Sequence, residues 1–434
     1  MLTRRRFMLA TGSAIAAASL GRHGAAAERM SGGTRAAVRD VMATQVAQGQ
    51  IPGAVWLLAR GDRVLADAVG VTTIGGSAPM RRDTIFRIAS MTKAVTATAV
   101  MMLVDDGKLR LDAPAERWLP ELANRRVLER IDGPLSATVP AQRPITVRDI
   151  MNFTLGFGAL FDPSTPIQRA IAELQLVNSE PLPMTPHEPD EWMRRLGTLP
   201  LMHQPGARWM YNTGSLIQGV LVRRAADRDF DAFVRERIFE PLGMRDTGFF
   251  VPSHKLDRFA GCGYFTLPET GEKTRMDLDG ADSAYARPPV FPGGAAGLVS
   301  TVDDYLSFAR MLLNGGVHHR RRLLSARSVR EMTSDQITPA QKAATAAAAP
   351  TPNPFADVWG MFATRSWGYG VSVITAPDTV SNVPGRYGWD GGFGTSWFND
   401  PDRDLVGIVM TQSADFLFSD ARESFWRAAY GNAI

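Results

Sequence analysis

The chain has one cysteine, Cys262, among its 434 residues, so no intramolecular disulfide can form. The residue reads as a small buried apolar group. Histidine is scarce too, at six residues. None stands in a G-x-S-x-G, H-E-x-x-H or C-x-x-C context, which argues against a Ser-His-Asp hydrolase and a zinc hydrolase. After residue 27 no apolar run is long enough for a membrane span of ~20 residues. An excess of charge is also missing. The first 27 residues hold four arginines and no acid, and the remaining basic residues balance the 44 acidic ones. The chain therefore carries no signature of a nucleic-acid or anionic-surface partner. There is no internal repeat.

The N-terminus is the one segment that reads as an address. Thr3-Arg4-Arg5-Arg6-Phe7 precedes an apolar stretch from Met8 to Leu20, and Ala25-Ala26-Ala27 follows. This pattern predicts a secretory signal over 1–27 of the twin-arginine type, and a periplasmic or secreted mature chain with no stable membrane anchor. Residues 28–434 are long enough for one large domain or two intimate ones.

Period and turn signals order the rest. Residues 34–49 read as an amphipathic helix. Ala54–Arg60 and Val64–Val69 read as a hairpin around Gly61-Asp62. From Ser90 to about residue 245 the signals are mostly helical. Strand signals return at Trp367–Ile374, Phe393–Asn399 and Leu405–Thr411, and 415–430 closes the chain as a helix. The Ala/Pro/Thr stretch 339–354 reads as a surface loop. This order predicts an α/β fold in which one antiparallel sheet, flanked by helices, is assembled from both ends of the chain. The sheet lobe takes about 28–89 and 290–434, the inserted helical lobe about 90–289, and the active site lies at their seam.

Ser90-Met91-Thr92-Lys93 carries the chemistry. The run Met91–Asp105 reads as a buried helix ended by Asp106-Gly107, with Ser90 at its N-terminus, where the dipole favours developing negative charge. Residues three apart share a helix face. A lysine so placed can take the seryl proton and make the hydroxyl an acyl-accepting nucleophile. Pro205-Gly206-Ala207-Arg208-Trp209-Met210-Tyr211-Asn212-Thr213-Gly214 adds a tyrosine. Gly388-Trp389-Asp390-Gly391-Gly392-Phe393-Gly394-Thr395 follows, and reads as the start of a strand.

These three segments together resemble the serine β-lactamase and penicillin-binding family, nearest to class C β-lactamases and family VIII carboxylesterases. The likeness spans essentially the whole chain after residue 27. It implies a β-lactamase/transpeptidase-like fold, no metal or organic cofactor, and a small-molecule ester or lactam as substrate. It also implies Ser90, Lys93 and Tyr211 as the catalytic group, and the backbone N–H groups of Ser90 and Gly392 as an oxyanion hole. A lysine cation near Tyr211 would lower its pKa, and either Lys93 or Tyr211 could be the base.

Two departures bear on substrate. The family's K-T-G box is here Trp389-Asp390-Gly391, so the lysine that binds a lactam carboxylate is absent. An indole suits apolar acyl or alcohol groups, and an inward-pointing Asp390 would repel anions. Where the family has Tyr-x-Asn, this chain has Tyr211-Asn212-Thr213, so the asparagine's amide contact is lost. Trp389, Asp390, Gly391, Asn212 and Thr213 are the candidate substrate contacts, and Arg365 and Arg386 the candidate carboxylate cations. The expectation is an exported esterase. A β-lactamase or D-amino-acid peptidase on the same scaffold is the alternative, and a non-catalytic binding protein the remote one.

Overall fold

A computed structural model describes residues 32–160, 164–176, 185–261, 263–267, 270–347 and 361–431. The N-terminal address segment and Cys262 lie outside the described residues.

The first hairpin sets the sheet. Strands β1 (Gly53–Arg60) and β2 (Arg63–Gly70) pair antiparallel across the Gly61-Asp62 turn. Along β1, Val55, Leu57 and Ala59 enter one apolar cluster while Ala54, Trp56 and Leu58 enter another. A strand whose alternate residues are both apolar is covered on both faces. The C-terminal part supplies β3 (Arg365–Trp367), β4 (Ser372–Ile374), β5 (Tyr387–Gly391), β6 (Thr395–Asp400) and β7 (Leu405–Met410). The order in the sheet is β3-β4-β5-β6-β7-β1-β2, with every neighbour antiparallel. One sheet is thus built from both ends of the chain, as expected.

Helices cover both faces. α1 (Gly32–Ala47) packs on a helix near the C-terminus, α6 (Asp420–Tyr430), and Trp426 of α6 lies over Gly407 and Leu58. On the opposite face α4 (Val302–Leu313) packs Tyr305 and Phe308 on Trp397 of β6. The long insert between β2 and β3 carries helices joined by loops and short strand pairs. Its centre is α2 (Thr92–Asp105), packed against α3 (Thr213–Ala226). α2 is buried from Thr92 to Leu103, which fits a helix that is apolar nearly all round. Among the described residues no helix is long and apolar enough to cross a membrane.

Four local expectations are corrected. Trp367–Ile374 is two short strands, because Gly368 and Gly370 turn the chain, and a Cβ on Gly370 would stand 2.4 Å from the Lys93 carbonyl of α2. Over the described part of 339–354 there is a helix, α5 (Pro339–Ala347), where alanines and Pro339 in the first turn favour helix over loop. The segment 415–430 breaks at Ser419, whose hydroxyl caps α6 by accepting from the Ala421 N–H. The Gly388–Thr395 segment is the end of β5, a turn, and the start of β6.

Candidate active site

The turn before α2 presents Ser90. Phe86-Arg87 pairs with Val299-Ser300, and the chain then turns through Ala89–Met91 as a single 3-10 turn. Ala89 has φ of 42°, a left-handed value that costs an L-residue about 1 kcal/mol or more. That turn leaves Ser90 half-buried while Lys93, one turn on, is fully buried. Lys93 Nζ and Ser90 Oγ are hydrogen-bonded at 3.0 Å. Nζ also donates to the Ala295 carbonyl at 2.8 Å and stands 4.6 Å over the Tyr211 ring. These partners are all neutral. Burial therefore pushes the ammonium well below its ordinary pKa, toward the free amine that can accept a proton.

Tyr211 comes from the loop before α3. Its carbonyl accepts from the N–H of Ala159 at 2.8 Å and from Thr213 at 3.2 Å. The second bond closes a γ-turn at Asn212, whose φ of 80° and ψ of −63° are rare and strained for any residue with a side chain. Phe153, Trp209, Trp367 and Trp389 box the phenol ring, with centroids 5.7–6.2 Å away. The hydroxyl bonds to the Ser90 side chain and accepts from Trp389 Nε1 at 2.8 Å. Here an expectation reverses. Burial is the largest influence on this phenol and raises its pKa above the ordinary value, while the bonds to Ser90 and Trp389 oppose the rise. Tyr211 rests as a phenol.

The Gly388–Thr395 segment closes the site. A Cβ on Gly391 would stand 2.2 Å from the Ile88 carbonyl, so only glycine lets β5 lie against the Ser90 turn. Gly392 follows directly, partly exposed. Other expected roles change. Trp389 is fully buried and gives its N–H to Tyr211, so it is a hydrogen-bond donor within the site and not an apolar wall of the cleft. Asp390 points to the other face of the sheet. Its partners there are Ser396, Arg422 at 3.1 Å and Arg365 at 4.0 Å, so it does not repel anions at Ser90. Arg365 and Arg386 belong to that far face too, and neither stands at the serine. Asn212 and Thr213 are buried in the turn that holds Tyr211, and Gly391 is buried against Ile88, which leaves all three as framework and not as substrate contacts.

Two participants escaped the sequence. One is the Ala295 carbonyl that orients Lys93. Its signal was the small-residue run Gly293–Gly297, where a Cβ on Gly294 would meet the Ser215 carbonyl at 2.4 Å. The other is Arg87, fully buried. It bonds Asp277 at 2.7 Å, the carbonyls of Ala260, Gly261 and Leu278, and the side chains of Ser283 and Gln412. It thereby ties the segment before Ser90 to the end of β7. No pattern marked it among so many arginines. Histidine stays outside this chemistry. His203 is held at about 4 by burial and by Arg208, and no metal-binding cluster occurs among the described residues.

A serine, an amine whose charged form burial disfavours and a phenol in one bonded chain can pass a proton among themselves, the arrangement of a serine acyl-transfer enzyme. The comparisons agree. The β-lactamase family model matches residues 38–431, and the chain belongs to the β-lactamase family of serine hydrolases. Protein Rv1367c of Mycobacterium tuberculosis is 38% identical over 395 residues, 90% of this chain and 92% of that one. Lovastatin esterase of Penicillium rubens is 30% identical over 416 residues, 88% and 95% of the two chains. Among solved structures, EstCE1, a hydrolase with promiscuous acyltransferase activity, superposes with a TM-score of 0.73 at 23% identity, over 92% of this chain and 99% of that one. The fold is β-lactamase/transpeptidase-like, as the motifs implied.

Proposed function

We propose that this enzyme hydrolyses small neutral acyl esters through an acyl-enzyme on Ser90. The observation that carries the reading is the Trp389–Tyr211–Ser90–Lys93 chain. A neutral indole donor occupies the place where a lactam-binding site wants a cation. The esterase named among the relatives supports the same substrate class.

The chemistry follows from the protonation states that burial favours. Ser90 Oγ attacks the ester carbonyl carbon while its proton passes to the neutral Lys93 amine. The backbone N–H groups of Ser90 and Gly392 hold the oxyanion. On collapse the carbon–oxygen bond to the alcohol breaks. The leaving oxygen takes the Tyr211 hydroxyl proton, and Lys93 restores that proton to the phenol. Water then attacks the acyl-enzyme by the same relay in reverse, releasing the acid and free Ser90. The sum is ester plus water to acid plus alcohol. Through this cycle the Trp389 N–H steadies the phenol oxygen whenever it is short of a proton.

The enzyme is read as exported, on the strength of the 1–27 segment. Replacing Arg5 and Arg6 by lysine should retain the precursor inside the cell, and unchanged export would remove the twin-arginine reading. The substrate reading is tested by kcat/KM for a short-chain aryl ester against a chromogenic cephalosporin, on wild type and Ser90→Ala. The expected outcome is preference for the ester, with loss of turnover in Ser90→Ala. Efficient cephalosporin hydrolysis with negligible ester turnover overturns the esterase reading and leaves the seryl mechanism standing.

A further inference from the structure

On the face of the sheet that carries α1 and α6, three arginines meet at one cavity of about 490 Å³. Arg365, Arg386 and Arg422 line it together with Ile374, Phe398 and Trp426. Asp390 of β5 reaches the same cluster, whereas its neighbour Trp389 faces Tyr211; successive strand residues point to opposite faces, so the sheet separates the cavity from Ser90.

The charges in this cluster do not close. Arg386 Nη2 holds Asp378, and Arg422 Nη1 holds Asp390 at 3.1 Å. The remaining acid at the rim, Glu423, pairs with Arg427 at the surface. Arg365 Nη1 is left 4.0 Å from Asp390, beyond hydrogen-bond reach, and has no hydrogen-bond partner among the described residues. Arg386 Nε likewise has none. The Arg365 residue is only 9% exposed, with its guanidinium 5.6 Å from the Phe398 ring centroid. Burial, and then the charge of Arg422, push Arg365 down to about 10. A buried guanidinium whose nearest carboxylate is 4.0 Å away and already held by Arg422 is costly, and an anion in the cavity supplies the missing charge.

We propose that this cavity binds a small organic carboxylate, its carboxylate on Arg365 and Arg386 and its apolar body against Phe398 and Trp426. The planar guanidinium fork matches a carboxylate, and the volume falls within the range of about 300–1,000 Å³ usual for small-ligand pockets. A single negative charge balances the uncovered guanidinium, and the aromatic wall favours an organic acid over inorganic phosphate.

Calorimetric titration of the intact protein with benzoate tests this, with benzamide and inorganic phosphate as controls. Benzoate should bind saturably at one site, with benzamide and phosphate weaker by about tenfold or more, the worth of a charge-assisted bond or of the apolar contact. Arg365→Gln should weaken benzoate by a similar factor. Thr379→Glu, on the exposed rim of the cavity, should weaken it while ester turnover persists, which guards against a folding failure in the first variant. Absence of saturable benzoate binding, equal binding of either control, or full affinity in folded Thr379→Glu overturns the proposal.

Discussion

Replacing Trp389 by phenylalanine separates the two roles an indole could have here. Its Nε1 stands 2.8 Å from the Tyr211 hydroxyl, with both side chains buried. A neutral bond of this kind is worth about 0.5–1.5 kcal/mol net, and one to an ionised oxygen about 1.5–3. If Tyr211 gives up its proton as the alcohol leaves, the bond strengthens between ground state and transition state by about 1–2 kcal/mol. Trp389→Phe should therefore lower kcat by roughly five- to thirtyfold, with KM little changed. The smaller ring also leaves a void, costing about 1–2 kcal/mol of stability. Circular dichroism should first establish that the variant is folded. Steady-state kinetics on a short-chain aryl ester then gives the split between kcat and KM. Tyr211→Phe should cost more, and the double variant no more than Tyr211→Phe alone, because the indole acts only through the phenol. A variant with wild-type kcat and a sharply raised KM would refute this reasoning, and would return Trp389 to the role of an apolar substrate wall.

Other expectations rest on the same geometry. Lys93 is buried with its pKa pushed well below 10.5, so between that lowered value and 10.5 the unfolded chain binds the extra proton. Stability should then rise with pH through that window by up to about 1.4 kcal/mol per unit. Lys93→Met should flatten this rise in denaturant melts and abolish ester turnover; an unchanged slope removes the neutral-amine assignment. For the same reason kcat/KM should fall as pH drops through the lowered lysine value, which a pH–rate profile reads directly. Gly391→Ala places a methyl 2.2 Å from the Ile88 carbonyl and should cost about 1–3 kcal/mol of stability, with a fall in kcat as the Ser90 turn is pushed from β5. Trp389→Lys should move the ester-to-cephalosporin kcat/KM ratio toward the lactam only slightly, since no asparagine amide is restored beside Tyr211.

The sequence made the sheet legible where its pattern was local. The continuous apolar runs of β1 and β7, the Gly61-Asp62 turn and the buried run after Ser90 are local patterns that need no partner to be seen. It misled where partners decide. Trp367–Ile374 reads as one strand until the close approach of Gly370 to α2 folds it in two. The site shows the same division. Residue types and spacing pointed to Ser90 and Lys93, because helix geometry and nucleophile chemistry constrain each other, and the family resemblance added Tyr211. The direction of the proton did not follow, because it is set by burial. Burial among neutral groups lowers the lysine's pKa, burial in an aromatic box raises the phenol's, and both shifts come from elements far away in the chain. Asp390 illustrates the point most sharply. One residue from Trp389, it lies on the opposite face, and only the sheet's register reveals that its charge serves the arginine cluster and not the serine. The absent lactam-binding lysine is thus matched by no substitute cation from this strand or its neighbours. A neutral donor holds the tyrosine instead, and that pairing is the electrostatic ground on which the proposed ester preference rests.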